Sequence, residues 1–494
     1  MKSFQASLAT LVVWLSGTLA SVRNANGSSL HVSTTSGEAF GTINATSPNV
    51  RQFLGIPYAQ PPVSELRFQS PVQYTSNKAI NASAFSPSCL QPITTPEAAA
   101  SSLYNTYLPK FLPGIPEQSE DCLYLNVYAP LEPKAEKLPV FVWIHGGGFT
   151  ADSSNVPYQI PDQWVERTQE LVVVTMNYRL NIFGFPNAAD QPLNIGLQDQ
   201  RMAVEWARDN VAAFGGDPDR MVLWGQSAGA WSVNYYGYAY PEDPIVAGLI
   251  ADSGGSTVFS TGNTSYFTAV AAAAGCGDLD AEAELECMQG LDATTLQAVA
   301  SNTTGVSFGP SADNVTVFAN NTERAEQGLV ANVPAIIGTN SREGSGFVSW
   351  SEGDPAPSDE EIIQASALIV CPTVSEIQNR IDSGLTSYRY EYSGNFSNIT
   401  PLPWIGAIHS GELPLVFGTH FQYNGNSTES EWEVSFAMEG LWLSFAQDVT
   451  EDPTYDSFTW PKFDPSVVSM ASFAVNDTVL FLADGTEVDD TYCG

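Results

Sequence analysis

Gly225-Gln226-Ser227-Ala228-Gly229 is one of two G-x-S-x-G pentapeptides in the chain, the other being Gly305-Val306-Ser307-Phe308-Gly309. Glycine and serine are common residues, so the pentapeptide alone says little, and its setting supplies the meaning. A short apolar run, Met221–Trp224, leads into it, and Ala228–Tyr236 can form the next helix. A serine on a tight strand-to-helix turn is lifted above the end of its sheet, where a ligand can reach the hydroxyl. The flanking glycines leave room for that turn. A serine hydroxyl is a poor nucleophile until a base takes its proton, and near neutral pH that base is usually histidine. The chain has only four histidines, His31, His145, His409 and His420. The chain order of this arrangement, serine then acid then histidine, leaves His409 or His420 as the base. Many carboxylates lie downstream, and spacing does not choose among them.

His145-Gly146-Gly147-Gly148 closes a second apolar run. Successive glycines let backbone N–H groups converge on one point with no Cβ in the way. Such donors stabilise the oxyanion of acyl transfer, together with the N–H of the residue after the nucleophile, here Ala228. The expected hole is therefore Gly147, Gly148 and Ala228.

These residues need a scaffold that aligns the ends of several strands. Leu138–Ile144, Leu171–Met176, Met221–Trp224, Gly248–Asp252 and Ala335–Gly338 read as buried strands. Between them, Ala203, Trp206, Ala207, Val211 and Phe214 mark one face of a helix that Gly215-Gly216-Asp217-Pro218 ends. Strands alternating with helices require crossover connections and a mostly parallel sheet, so the fold class is α/β. Segments 260–330 and 350–400 read as helical or loop insertions rather than as domains.

The chain has 494 residues, 43% hydrophobic and 15% charged, enough to build a sizeable core. Acids outnumber bases 54 to 18, for a net charge of −36. That excludes a general nucleic-acid binder and argues against docking on an anionic membrane. Residues 1–20 read as a signal peptide: Lys2, the apolar stretch Leu8–Leu15, then Thr18-Leu19-Ala20. Removing it leaves one domain, 21–494. Eleven N-x-S/T sequons stand at Asn26, Asn44, Asn81, Asn263, Asn302, Asn314, Asn320, Asn395, Asn398, Asn426 and Asn476, as expected of a secreted glycoprotein. No further apolar span has membrane length. The six cysteines, Cys89, Cys122, Cys276, Cys287, Cys371 and Cys493, include no C-x-x-C pair, so loop-pinning disulfides are expected rather than a metal site. Spacing alone leaves every pairing open.

Longer blocks resemble the type-B carboxylesterases, the family of cholinesterases, fungal lipases and the non-catalytic neuroligins. They are FLGIPYAQPP at Phe53–Pro62, EDCLYLNV at Glu120–Val127, Asn177-Tyr178-Arg179, and GLQDQRMAVEWARDNVAAFGGDP at Gly196–Pro218. The resemblance implies an α/β-hydrolase fold and a secreted ester hydrolase that uses no metal or organic cofactor, with a small-molecule ester as its partner. Glu343, in Ser341-Arg342-Glu343-Gly344, matches the family's acid. His409, in Gly406-Ala407-Ile408-His409-Ser410-Gly411-Glu412, matches its histidine, which makes His420 structural. Ser253 matches a serine that hydrogen-bonds the catalytic residues from behind. Cys89–Cys122 and Cys276–Cys287 match loops the family closes, which leaves Cys371 for Cys493.

Four departures qualify the resemblance. Gln226 replaces the usual Glu before the nucleophile, and Ser410 replaces a glycine. The interval from Glu343 to His409 is shorter than in cholinesterases. Leu112 stands where cholinesterases carry the tryptophan that holds choline's cation. Neutral, apolar or aromatic esters are therefore the expected substrates. Leu103, Tyr104, Tyr107, Leu108, Phe111 and Leu112, between Cys89 and Cys122, are apolar enough for the lid of a lipase or sterol esterase, the alternative reading. A neuroligin-like binder is a third, disfavoured because the catalytic residues are all present.

Overall fold

The computed structural model describes residues 29–92, 117–257, 263–422, 424–476 and 478–493. The expected signal peptide, the sequon at Asn26 and the apolar segment 103–112 lie outside them.

The central sheet has 11 strands. In chain order they are β1 (Thr42–Asn44), β2 (Ser47–Pro57), β3 (Tyr124–Pro130), β4 (Leu138–Ile144), β5 (Val172–Met176), β6 (Gly216–Gln226), β7 (Gly248–Asp252), β8 (Ala335–Asn340), β9 (Ser387–Tyr392), β10 (Met470–Val475) and β11 (Thr478–Ala483). Their order across the sheet is β11-β10-β9-β8-β7-β6-β4-β5-β3-β2-β1. The run from β5 to β10 is parallel throughout, and antiparallel strands finish both edges.

Both faces of the parallel strands are buried, because helices cover both sides. Along β4, Val140, Val142 and Ile144 enter one core cluster and Phe141 and Trp143 the other. The same alternation puts Met221 and Leu223 of β6 on one face and Val222 and Trp224 on the other. Helix α1 (Ile195–Asn210) continues as a 3₁₀ turn to Phe214 and stops at Gly215, whose φ is +98°. Helix α2 (Ala228–Ala239) follows the serine turn.

One expectation needs correction. Segment 350–400 is not wholly an insertion. It holds helix α3 (Asp359–Asp382), started by a Ser358/Glu361 capping box, and the interior strand β9. The earlier segment does behave as an insertion, carrying short helices at Thr264–Ala273, Ala281–Gln289 and Ala293–Asn302. Helix α4 (Glu429–Gln447) and helix α5 (Gly485–Cys493) complete the covering layers. Disulfides join Cys89 to Cys122, Cys276 to Cys287, and Cys371 of α3 to Cys493 of α5.

Of the sequons within the described residues, all but one expose their asparagine. Asn398 is buried, and its Nδ2 donates to the His420 carbonyl and to Glu431 Oε1. That amide is already spent on the fold and is closed to a glycan.

Several carboxyls are buried without full compensation. Burial pushes Asp252 and Glu376 up to about 7 and Glu439 to about 8, partly opposed by hydrogen bonds and, for Glu376 and Glu439, a nearby arginine. Each therefore holds its proton in the fold at a pH where the unfolded chain has lost it. A raised carboxyl contributes stability that is present below the unfolded value and is lost as pH rises through the folded one. Stability should fall between about pH 4.5 and pH 8, with Tm lower by roughly 5 °C or more at the upper end. A melting series across that range checks this, and a level or rising Tm would show these carboxyls already ionised in the fold.

Candidate active site

The serine turn owes its shape to close packing. A Cβ on Gly225 would lie 2.5 Å from the Gly229 carbonyl carbon, and one on Gly229 would lie 2.1 Å from the Ile144 oxygen. Ser227 itself has φ +56° and ψ −122°, a conformation that costs a non-glycine residue on the order of 1–3 kcal/mol and persists only where its surroundings impose it. Its N–H donates to the Asp252 carbonyl at 2.9 Å, tying the turn to the end of β7. The half-buried side chain opens on a cavity of about 830 Å³.

The glycine run after β4 lines the same cavity through Gly147 and Gly148, with φ of +88° and +62°. At Gly146, which the expected oxyanion hole leaves out, a Cβ would lie 2.9 Å from the Gln226 oxygen and 3.0 Å from the Cβ of Ser227, and at Gly147 it would lie 2.1 Å from the Ala151 oxygen. Tyr178 is a second omission. Its hydroxyl donates to the carbonyls of His145 at 3.0 Å and Gly146 at 3.3 Å. The C=O and the following N–H point to opposite sides of a planar peptide, so pinning the Gly146 oxygen aims the Gly147 N–H the other way. Gln91, two residues beyond Cys89, holds the far end of the loop through Asp152 N and O at 2.8 and 3.0 Å.

Glu343 follows β8 and is fully buried. Its Oε1 accepts from Asn340 N at 2.7 Å and from Ser253 Oγ at 2.5 Å. Its Oε2 meets His409 Nδ1 at 2.5 Å. These two residues stand 66 positions apart, and the backbone brings them together. Arg342 and Ile408 form an isolated parallel bridge, with Arg342 N donating to the Ala407 carbonyl at 3.0 Å. Asn340 Nδ2 donates to the Ile408 carbonyl at 2.8 Å and also contacts Glu412. Asn340 thus holds the acid with its N–H and the histidine loop with its side chain. Its surroundings in the sequence carry no signal of this.

His409 lines the cavity beside Ser227. Its Nε2 lies 3.2 Å from Gln226 Nε2, and the Phe347 ring packs on it at 5.3 Å. Gln226 thus meets the histidine with a neutral amide where a Glu would bring a charge. Ser410 has φ +69°, the left-handed region that glycine enters freely, so the substitution noted above is tolerated at the cost of some strain. Burial, with the nearby carboxyls of Asp252 and Glu343, also raises Glu412 well above the ordinary carboxylate range, which favours its neutral form.

The other histidines lie elsewhere. His420 is buried against Ser427 Oγ at 2.6 Å and Glu431 at 3.2 Å. His31 pairs with Glu38 at the surface, and His145 stacks on Tyr178 with ring centres 4.4 Å apart. Among the described residues, no group of three or more His, Cys, Asp and Glu is arranged to hold a metal ion, and no helix is long and apolar enough to cross a membrane.

A strained serine between a parallel strand and a helix, with its neighbours on the same sheet edge, is the build of an α/β-hydrolase. The chain belongs to the carboxylesterase family, whose profile matches residues 28–367 and 360–480, and it is a serine carboxylesterase. It is 47% identical to a chlorogenic acid esterase of Aspergillus niger, across 95% of each chain. A secreted lipase of Gibberella zeae, "Secreted lipase 5", is 38% identical across 89% of each. A solved structure of PNB esterase superimposes with a TM-score of 0.76 at 25% identity, covering 94% of this chain and 99% of that one.

Proposed function

We propose that the protein is a secreted esterase that cleaves neutral, apolar or aromatic carboxylic esters through an acyl-enzyme. Ser227 Oγ attacks the ester carbonyl while His409 Nε2 takes its proton. The N–H groups of Gly147, Gly148 and Ala228 receive the oxyanion, aided by the positive end of α2. The tetrahedral intermediate collapses, and the alcohol leaves with the proton from His409. Water then attacks the acyl-serine by the same route and releases the acid. Glu343 holds the Nδ1–H tautomer and stabilises the imidazolium, and Ser253 fixes Glu343. The observation that carries this reading is the Glu343–His409 bond beside the cavity onto which Ser227 opens.

The preference for neutral and ring-bearing esters rests on the cavity. Trp231, Phe308, Pro310 and Phe347 line it, and Gln226 supplies no charge next to the serine. The Aspergillus relative's named substrate, chlorogenic acid, joins an aromatic acid to a polyol through an ester, in keeping with such a lining. Secretion is supported by the leader-like N-terminus, the three disulfides and the exposed sequons.

The name of the Gibberella relative favours a lipase reading as the alternative. An ester panel decides between them: p-nitrophenyl esters of rising chain length, assayed below and above substrate solubility, beside aryl esters. Aryl and short-chain esters should be the better substrates, with no jump in rate at the solubility limit. Butyrylcholine should fall below its uncharged isostere, 3,3-dimethylbutyl butyrate, in kcat/KM. A choline ester favoured tenfold would overturn the preference for neutral substrates.

A further inference from the structure

The two glycine donors are aimed by different means. Tyr178 pins the Gly146 carbonyl and so orients the Gly147 N–H. The Gly148 N–H shares its peptide plane with the Gly147 carbonyl, which accepts from Thr150 N and Ala151 N at 3.0 Å each. The turn Gly147–Asp152 therefore aims the second donor. Four of its six residues, Gly147, Gly148, Phe149 and Asp152, have positive φ, and two of those four are not glycines. A stretch held in that region keeps its shape only where its surroundings impose it.

Gln91 imposes it at the far end. Its side chain is fully buried, and its Oε1 accepts from Asp152 N at 2.8 Å while its Nε2 donates to the Asp152 carbonyl at 3.0 Å. Among the described residues, no other group bonds that N–H or that carbonyl. Without Gln91 both would be buried and unpaired, a cost the turn would relieve by moving. The neighbouring residue ties in the middle of the turn: Asn181 Nδ2 donates to the Leu90 carbonyl at 2.8 Å, and Asn181 N to the Phe149 carbonyl at 2.7 Å. The support is itself fixed. Cys89 is bonded to Cys122, Ser88 and Cys89 pair with Gln118 and Ser119, and Gln91 N donates to Gln118 Oε1 at 3.1 Å.

We propose that Gln91 is a positioning residue for acyl transfer: it lies outside the cavity lining, and it holds the turn that aims the Gly148 N–H at the oxyanion. The inference deepens the acyl-enzyme reading and rests on it. Gln91→Met keeps the length of the side chain and removes both bonds to Asp152. The purified variant is compared with the unaltered enzyme in Tm, in kcat and KM for p-nitrophenyl butyrate, and in Ki for a trifluoromethyl alkyl ketone. That ketone adds Ser227 Oγ to its carbonyl, leaving an oxyanion in the hole and the proton on His409. Rates are taken per active site titrated with an organophosphate, so unfolded protein does not count. The variant should lose about 10- to 100-fold in kcat, short of the roughly 10²- to 10³-fold for a donor removed outright. KM should stay within about threefold, and Ki should rise by the same factor as kcat falls, because both report the oxyanion and not the bound ester. Gln91→Glu keeps the acceptor for Asp152 N but sets an oxygen against the Asp152 carbonyl, and should show the same split. A lower Tm with kcat and Ki unchanged would overturn the inference, since Gln91 would then serve the fold alone. Failure of both variants to fold would overturn it in the same way. A ketone that does not inhibit the unaltered enzyme would overturn the acyl-enzyme reading itself.

Discussion

Ser227→Ala should lower kcat on any cleaved ester by about 10⁴ to 10⁶, with KM little changed. The alanine keeps the turn, because the 2.9 Å bond from residue 227 to the Asp252 carbonyl is made by the backbone. It also keeps the donors of Gly147, Gly148 and Ala228, so substrate still binds and a water attack assisted by those donors supplies the residual rate. What disappears is the covalent intermediate. An organophosphate should label Ser227 in the unaltered enzyme and nothing in the variant. Labelling at another serine, or a folded variant with more than a few per cent of the original rate, would remove Ser227 from the proposed role.

Glu343→Gln should fold and yet lose about 10³- to 10⁴-fold in kcat. The reason is tautomeric. Oε1 accepts from the backbone N–H of Asn340, which can only donate, so the amide oxygen of the glutamine must stay there. The NH₂ group then faces His409 Nδ1, at the 2.5 Å contact now made by Oε2. A donor at that point forces Nδ1 to accept and puts the imidazole proton on Nε2, leaving no lone pair for the serine proton. His420→Ala is the matched control. It breaks buried bonds to Ser427 and Glu431 away from the cavity, so it should lower Tm but leave kcat within about threefold. An active Glu343→Gln beside an inactive, folded His420→Ala would reverse the two assignments.

The strands nearest the serine were the legible ones. Leu138–Ile144 and Gly248–Asp252 are apolar on both faces and short, which few other structures allow. Strand β9 hides because it reads Ser-Tyr-Arg-Tyr-Glu-Tyr. Its tyrosines alternate into the core, but Arg389 between them is neutralised by Asp489 of α5, 100 residues on, a partner no local pattern reveals. The site divides in the same way. Gly225 to Gly229 and the triple glycine declare themselves, since tight turns and backbone donors demand those residue types. Glu343 came only from resemblance to family motifs, and the resemblance chose His409 over His420, between which the chain order of serine, acid and histidine had left the base open. The meeting of Glu343 and His409 depends on the Arg342–Ile408 bridge and on Asn340, which are products of tertiary packing. Gln226 was noted as a departure, but its contact with His409 follows from side-chain placement across two loops.

The walls of the cavity have a different origin from its floor. Ser227, Ser253 and Glu343 sit at or within three residues of the ends of β6, β7 and β8, strands packed on both faces. Ser307–Pro310 and residues 367–372 of α3 belong to excursions between strands, where a side chain can change without moving the sheet. Selection for a new ester can therefore act on the excursions while bond-making chemistry stays under purifying constraint. Divergence among enzymes built this way should concentrate in KM and substrate ratios. The excursion formed by α3 is not wholly free to drift, however. Cys371 bolts it to α5 immediately beside Pro372, so that wall can change its side chains more readily than its position.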